Sequence, residues 1–503
     1  MTHGQKTSGL VILGFLALAA TGALILFTSH DKTQLSQPGL QNALMSAAQR
    51  GPWRDIYQAR AFTPLWLTPG GPSNDAQAVM AMLAHADAQG LPSSRYGFGA
   101  IPQPKAGDRA RAAFEIRLTA AAYAYAHDMA FGLLRPEKVF DDVSLQRRDP
   151  HNKELLSGFG HAAGQGTIVD YLKSLEPQVG EYAALKSALL RYRQLATHPW
   201  SPVVAHADGA ALAARLAAEG YIAPQQTPSP SAVKQALKAY QSANGMDLDG
   251  KLDANTLEML NVPPAQRAQQ IEANLERWRW LPREFGARHI MVNVAGASLA
   301  LVEDGQATLT SRVVVGAPDK PTPILAAQVV AVTINPAWHV PKSIVENEIK
   351  SKLEENPGYL DAKNMEQTPD GDFIQKPGPD NALGSVKIEM PNGFDVYLHD
   401  TPGKKAFLSD ERALSHGCVR VEQIQALAER LLGLGDGELA RMIAAGQTTQ
   451  KPVKPALPVY IQYWTAVPAA NGVIGFRSDI YNRDATMIAA LHGTRPPELA
   501  FAH

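Results

Sequence analysis

Cys418 is the only cysteine among 503 residues, with His416 two positions before it and His399 nineteen before it. A thiol attacks carbonyls only as thiolate, which a neighbouring imidazole can generate by taking its proton. The run Phe394 to His399 alternates: Phe394, Val396 and Leu398 share one face, and Asp395, Tyr397 and His399 share the other. Asn392 and Gly393 before it read as a hairpin turn. His399 therefore ends a strand on the side of Tyr397 and is the expected base. His416 is too close in sequence to face Cys418 easily and is expected to fix the loop.

Val421 to Leu432 reads as a helix, with Ile424, Leu427, Ala428 and Leu431 on one stripe and Gly433 as its stop. Cys418 is thus expected just before a helix N-terminus, where unpaired amides favour both a thiolate and an oxyanion. Gly417 lets the backbone approach a substrate without a Cβ, so amides near Gly417 and Cys418 are the expected oxyanion donors. Ser415 is expected to shape the turn. Arg420 suits a carboxylate through its planar fork, or pins the loop by hydrogen bonding. A zinc site built from His399, His416 and Cys418 lacks a fourth ligand and paired cysteine spacing, so no metal is expected.

These side chains must be positioned by a long chain, enough for roughly three domains at about 150 residues each. Hydrophobic content of 45% and charged content of 19% allow large buried cores. A net charge of −1 carries no polyanion signal, so nucleic acid is not an expected partner. One cysteine excludes an intrachain disulfide. Residues 9–27 carry no charge and are mostly apolar, a length close to what the ~30 Å hydrocarbon core of a bilayer requires. With 1–8 as a cytoplasmic tail, this is read as an uncleaved inner-membrane anchor rather than a cleaved signal peptide. The rest of the chain would then be exported to the periplasm.

Residues 28–41 read as a linker and 42–201 as a helical scaffold. His127 beside Asp128 is read as an ordinary helix histidine. Residues 209–262 form a compact helical unit in which Asp253 is an expected N-cap. Its Asp249 and Gly250 invite a calcium loop, but Gly245 and Thr256 would occupy the positions that need Asp and Glu. Residues 265–285 read as a bridging helix. From His289 the period changes from helical to two, with a hairpin turn at Asp304 and Gly305, and 286–450 read as a β domain. Residues 344–395 exceed what a hairpin needs and read as an insertion. Trp338, between two prolines, is expected to line the cleft or plug the core. Residues 451–503 read as a C-terminal extension that begins with a stiff connector, Lys451 to Pro458.

The pattern of Ser415, His416, Gly417, Cys418 and Arg420 with His399 upstream resembles the L,D-transpeptidase family. The Tyr240 to Gly245 and Asp249 to Leu257 segments are similar to the peptidoglycan-binding domain of cell-wall enzymes. The whole resembles the large, membrane-anchored Gram-negative members. The resemblance implies a multidomain α+β chain: membrane anchor, α-helical scaffold, small peptidoglycan-binding-like domain, and a mainly β catalytic domain with a capping subdomain. It also implies that Cys418 attacks the diaminopimelate carbonyl of a donor stem, releases D-alanine and passes the acyl group to an acceptor amine. That amine would belong to another stem, an outer-membrane lipoprotein or a free D-amino acid. Tyr397 and Trp338 would line the donor site. Carbapenems would acylate Cys418, and no cofactor would be needed, because the donor bond conserves the energy. Two alternatives stay open: an L,D-carboxypeptidase using the same residues, and a non-catalytic wall-binding scaffold.

Overall fold

A computed structural model describes residues 38–49, 52–103, 105–145, 152–205, 209–223, 228–469 and 472–493. The amino-terminal part is helical around α1 (Asp108–Phe131). Within it the fully buried Glu115 accepts the backbone N–H groups of Leu65 (2.9 Å), Trp66 (3.0 Å) and Leu67 (2.7 Å), and the Tyr57 hydroxyl (3.0 Å). One carboxylate so satisfies a turn whose amides would otherwise be buried unpaired. Burial pushes this carboxyl up to about 7, against the pull of those donors. α2 (Gly180–Leu195) closes the helical layer.

Next come α3 (Pro230–Asn244) and α4 (Ala254–Asn261), the latter capped by Asp253 as expected, its side chain accepting Thr256 N–H at 2.7 Å. Gln241, fully buried, holds the intervening turn by accepting Gly250 N–H (2.8 Å) and donating to Lys251 O (3.0 Å). That explains the Asp249–Gly250 spacing without calcium: the turn is folded around an amide.

α5 (Pro264–Trp280) joins the parts, and every residue from Ile271 to Trp280 is buried. A helix buried on all sides lies between layers. Several of its polar groups are paired: Arg279 with Glu276 (2.8 Å) and the Tyr182 hydroxyl (2.9 Å), Asn274 with Thr465 through bonds of 2.8 and 3.0 Å. Trp278 stacks on Trp464 at 4.6 Å.

The β domain comprises β1 (Arg288–Asn293), β2 (Ser298–Glu303), β3 (Gln306–Gly316), β4 (Ile324–Ile334), β5 (Val386–Glu389), β6 (Leu398–His399), β7 (Ala413–Ser415), β8 (Val419–Val421) and β9 (Thr449–Gln462). The expected turn between β2 and β3 is present, with Asp304 and Gly305 both at positive φ (49° and 77°). Pairing runs β5–β6–β8–β3–β2–β1–β9–β4, and β4 also pairs β5. The sheet therefore closes on itself, leaving eight strands without a free edge on that path. Its interior is Val, Ile and Leu, among them Val292, Val313, Val332, Ile388, Leu398 and Val459. α6 (Ile424–Leu432) packs its expected stripe of Ile424, Leu427, Ala428 and Leu431 on this core. Val143 and Ser144 of the helical part add a short parallel strand beside β4.

Several expectations are corrected. No helix among the described residues is long and apolar enough to cross a membrane, which overturns the single-pass inner-membrane placement. The longest described helix, α1, carries Arg109, Arg111, Glu115 and Arg117 within its first three turns. Residues 9–27, on which that expectation rested, lie outside the described residues. Cys418 does not precede a helix: the β-branched Val419 and Val421 form β8, paired on both sides, and α6 starts only at Ile424. Lys451 to Pro458 is no connector but part of β9: Pro452 and Pro458 stand opposite Ala331 and Gln328 of β4, and Pro455 falls where that register shifts between Pro452 and Leu457. The insertion ends before 395, because Val386–Glu389 is a strand of the closed sheet. What remains is a cap of short helices and a three-stranded sheet (Trp338–His339, Phe373–Gln375, Met365–Gln367) around Val345, Ile349, Met365 and Phe373.

Candidate active site

β6 and β8 run parallel, with Leu398 opposite Val419 and His399 opposite Arg420. Val419 N–H donates to Tyr397 O at 3.1 Å. This register carries the loop after β7 to the strand that ends in His399. Ser415, Gly417, Cys418, Arg420, Tyr397 and His399 are thereby gathered at one end of the sheet.

Ser415 closes the loop on itself: its hydroxyl donates to Cys418 O (2.6 Å) and accepts Gly417 N–H (3.2 Å). Gly417 has φ +109°, a conformation that L side chains rarely adopt. Its N–H is thus committed within the loop. His416 turns outward, and its Nε2 lies 2.6 Å from Oε1 of Glu348 in the cap. The pair ties the cap to the segment next to the thiol.

Cys418 Sγ lies 3.9 Å from Asp395 O, beside a backbone kinked by the positive φ (54°) of Asp395. That kink confines the regular strand to Leu398–His399, although Val396 and Leu398 face the core as expected. Burial pushes the Cys418 thiol up; hydrogen bonding from Tyr397 and the charges of Lys387 and Arg420 oppose it. Burial likewise raises the Tyr397 phenol, the Cys418 thiolate charge adds to this, and bonding from the Trp338 side chain opposes it. Lys387 Nζ stands 4.3 Å over the Tyr397 ring and pairs with Glu389 at 2.9 Å.

His399 is 5% exposed and meets the Tyr397 ring edge-on at 5.5 Å. Burial first, then the charge of Arg420, push its imidazole down to about 3, and Asp400 offsets this only in part. The ring is neutral at neutral pH. Its Nδ1 is buried without a hydrogen-bond partner among the described residues. The Asp400 carboxylate is spent on Ser385 (2.9 and 2.7 Å) and Thr401 (2.8 Å).

Arg420 lines a cleft of about 280 Å³ with Trp338, Glu348, Lys352 and Tyr359 of the cap side, and its Nε is buried without a partner among the described residues. A larger cleft, about 440 Å³, runs between α3–α4 and the β domain but has none of Cys418, His399 and Arg420 in its walls. Sequence reasoning missed Lys387 and Glu348. Lys387 was findable, since alternation in Val386–Glu389 puts it on the polar face, where it pairs in register with His399. Glu348 had no such signal.

The fold and site define a thiol-bearing β domain with helical companions. Residues 287–461 match the L,D-transpeptidase catalytic domain, 52–189 match a scaffold domain, and 206–260 match a "Putative peptidoglycan binding domain". A "Putative L,D-transpeptidase" of Haemophilus influenzae is 32% identical over 238 residues, 43% of this chain and 48% of the relative. The match thus spans about half the length of that relative. Among solved structures, an L,D-transpeptidase from Mycobacterium smegmatis is 13% identical over 35% of this chain and 58% of that one (TM-score 0.21). Another, from Xylanimonas cellulosilytica, is 15% identical over 50% and 91% (TM-score 0.19). Scores that low carry no argument here. Residues 287–461 are thus similar to an L,D-transpeptidase catalytic domain and 206–260 to a peptidoglycan-binding domain.

Proposed function

We propose that this protein exchanges peptide bonds in peptidoglycan through Cys418. His399, neutral at rest, takes the thiol proton as Sγ attacks the diaminopimelate carbonyl of a tetrapeptide stem. The bond to the terminal D-alanine breaks, and the imidazolium returns its proton to the departing amine. An acceptor amine then attacks the thioester, loses a proton to His399 and leaves Cys418 free. The amine belongs to a second stem or to a protein acceptor such as a lipoprotein. With Gly417 N–H engaged by Ser415, the N–H of Cys418 itself is the donor aimed at the oxyanion. Arg420 receives a stem carboxylate, with Tyr397 and Trp338 as walls. The module at 206–260 holds the polymer nearby.

One observation supports this reading: the parallel register of β6 and β8, which sets the strand ending in His399 beside the segment that follows the sole thiol. The test is mass spectrometry of the protein incubated with purified disaccharide-tetrapeptide. The expected product is a dimer joined between two diaminopimelate residues, with D-alanine released. Tripeptide and D-alanine without dimer would mean hydrolysis instead, and no change in the substrate would sink the reading.

A further inference from the structure

Behind the Ser415–Cys418 loop lies the turn that joins β3 to β4. Thr322 on this turn is fully buried, and its Oγ1 lies 2.8 Å from both Gly316 N and Gly417 O. Gly316 N–H can only donate, so the hydroxyl accepts there, and its one proton is directed to Gly417 O. The turn is held from below by Tyr481. Its hydroxyl accepts Thr322 N–H at 3.2 Å and donates to Gly316 O, while its ring stacks on Tyr463 at 5.5 Å. A Cβ at Gly316 would collide with the Lys320 carbonyl, so the turn is packed tight. Tyr481 lies beyond the 287–461 segment that matches the catalytic domain.

The carbonyl of Gly417 and the N–H of Cys418 belong to one planar trans peptide and point in opposite directions. A donor fixed on Gly417 O therefore fixes where Cys418 N–H points. It also draws electron density toward that oxygen and strengthens the N–H as a donor. We infer that Thr322 is a positioning residue that aims and polarises the oxyanion-binding amide of Cys418, and that Tyr481 holds Thr322 in place. This rests on the acyl-transfer reading above and extends the working unit to the C-terminal segment.

Thr322→Val removes the hydroxyl at nearly constant volume. Its carbapenem acylation rate at Cys418, and its kcat for D-alanine release, are expected to fall about ten- to hundredfold. KM should hold within about twofold, as should the rate and pH profile of Cys418 alkylation by iodoacetamide, which needs a thiolate but no oxyanion site. Thr322→Ser should restore acylation, and Tyr481→Phe should lose about three- to tenfold by the same route. If Thr322→Val does not fold, as judged by its thermal transition, Tyr481→Phe decides the matter by the same comparison. Undiminished acylation in the folded variants, or equal losses of acylation and alkylation, would overturn the role. A wild-type protein that alkylates yet neither acylates nor turns over would instead overturn the acyl-transfer reading, and this role with it.

Discussion

His399 and Arg420 stand opposite each other across a parallel strand pair, so a fixed cation faces the imidazole proposed to accept a proton. Its charge is the second cause, after burial, of the depressed basicity of His399. A carboxylate bound at Arg420 would cancel that repulsion and raise the base when substrate is present. Arg420 then links recognition to proton transfer, rather than merely holding a stem.

The resting thiol and imidazole are both neutral, because burial raises the first and lowers the second. A raised thiol is mostly protonated at neutral pH and ionises only above its usual range. Iodoacetamide alkylation of the free protein should thus rise with a midpoint above the ~8.5 of an ordinary thiol, with no step near 6.5 from His399. Arg420→Gln should make the imidazole more basic. A wild-type midpoint below 7 would contradict this account and indicate a preformed ion pair.

Cys418→Ala should reduce D-alanine release by roughly a thousandfold or more. Folding should be unaffected, since Cys418 is half-buried and lies outside the hydrophobic core of the sheet. Intact-protein mass after carbapenem treatment should show one drug-sized addition on the wild type and none on the variant. An adduct that persists on Cys418→Ala would move the nucleophile elsewhere.

The cap is joined to the active loop by His416 and Glu348, whose side chains are 38% and 32% exposed. At that exposure the pair contributes only about 0.2–1 kcal/mol. Glu348→Gln should leave the melting temperature nearly unchanged. Amide exchange within Val345–Ile349 and the 415–418 loop should nevertheless rise a few-fold. Unaltered exchange there would show that the pair does not restrain the cap.

Glu115 offers the largest stability effect outside the active site. Glu115→Ala leaves three buried backbone donors and the Tyr57 hydroxyl without this acceptor, a loss of about 3 kcal/mol or more. In the wild type its carboxyl is raised, so the contribution is full below the unfolded value near 4.5 and declines as pH rises toward about 7. Urea unfolding of both proteins at pH 5 and pH 8 should show a larger gap at pH 5.

Much of the fold was legible because strong local patterns agreed with tertiary demand. The alternation from His289 onward, the Asp304–Gly305 turn, the Asp253 cap and the α6 stripe all appear where their chemistry requires them. The thiol and its candidate base could be picked out because Cys418 is unique and His399 shares a face with Tyr397. Failures came where distant partners decided. Val421 reads as the start of a helix until two neighbouring strands claim Val419–Val421, and the segment from Lys451 to Pro458 reads as a connector until β4 pairs with it. Thr322 and Tyr481 have no local signature, since their roles arise only when three remote segments meet.

The closed sheet also constrains the order in which this protein can mature. β9 is the last strand of the closed sheet to leave the ribosome, and its Val459 must find Ile290, about 170 residues earlier, before the ring is complete. Contacts of such sequence separation carry a heavy loop-closure entropy and form late. Nascent chains lacking β9 would have the thiol but not the frame that holds it. Completion of the frame around the thiol is thereby tied to the arrival of β9.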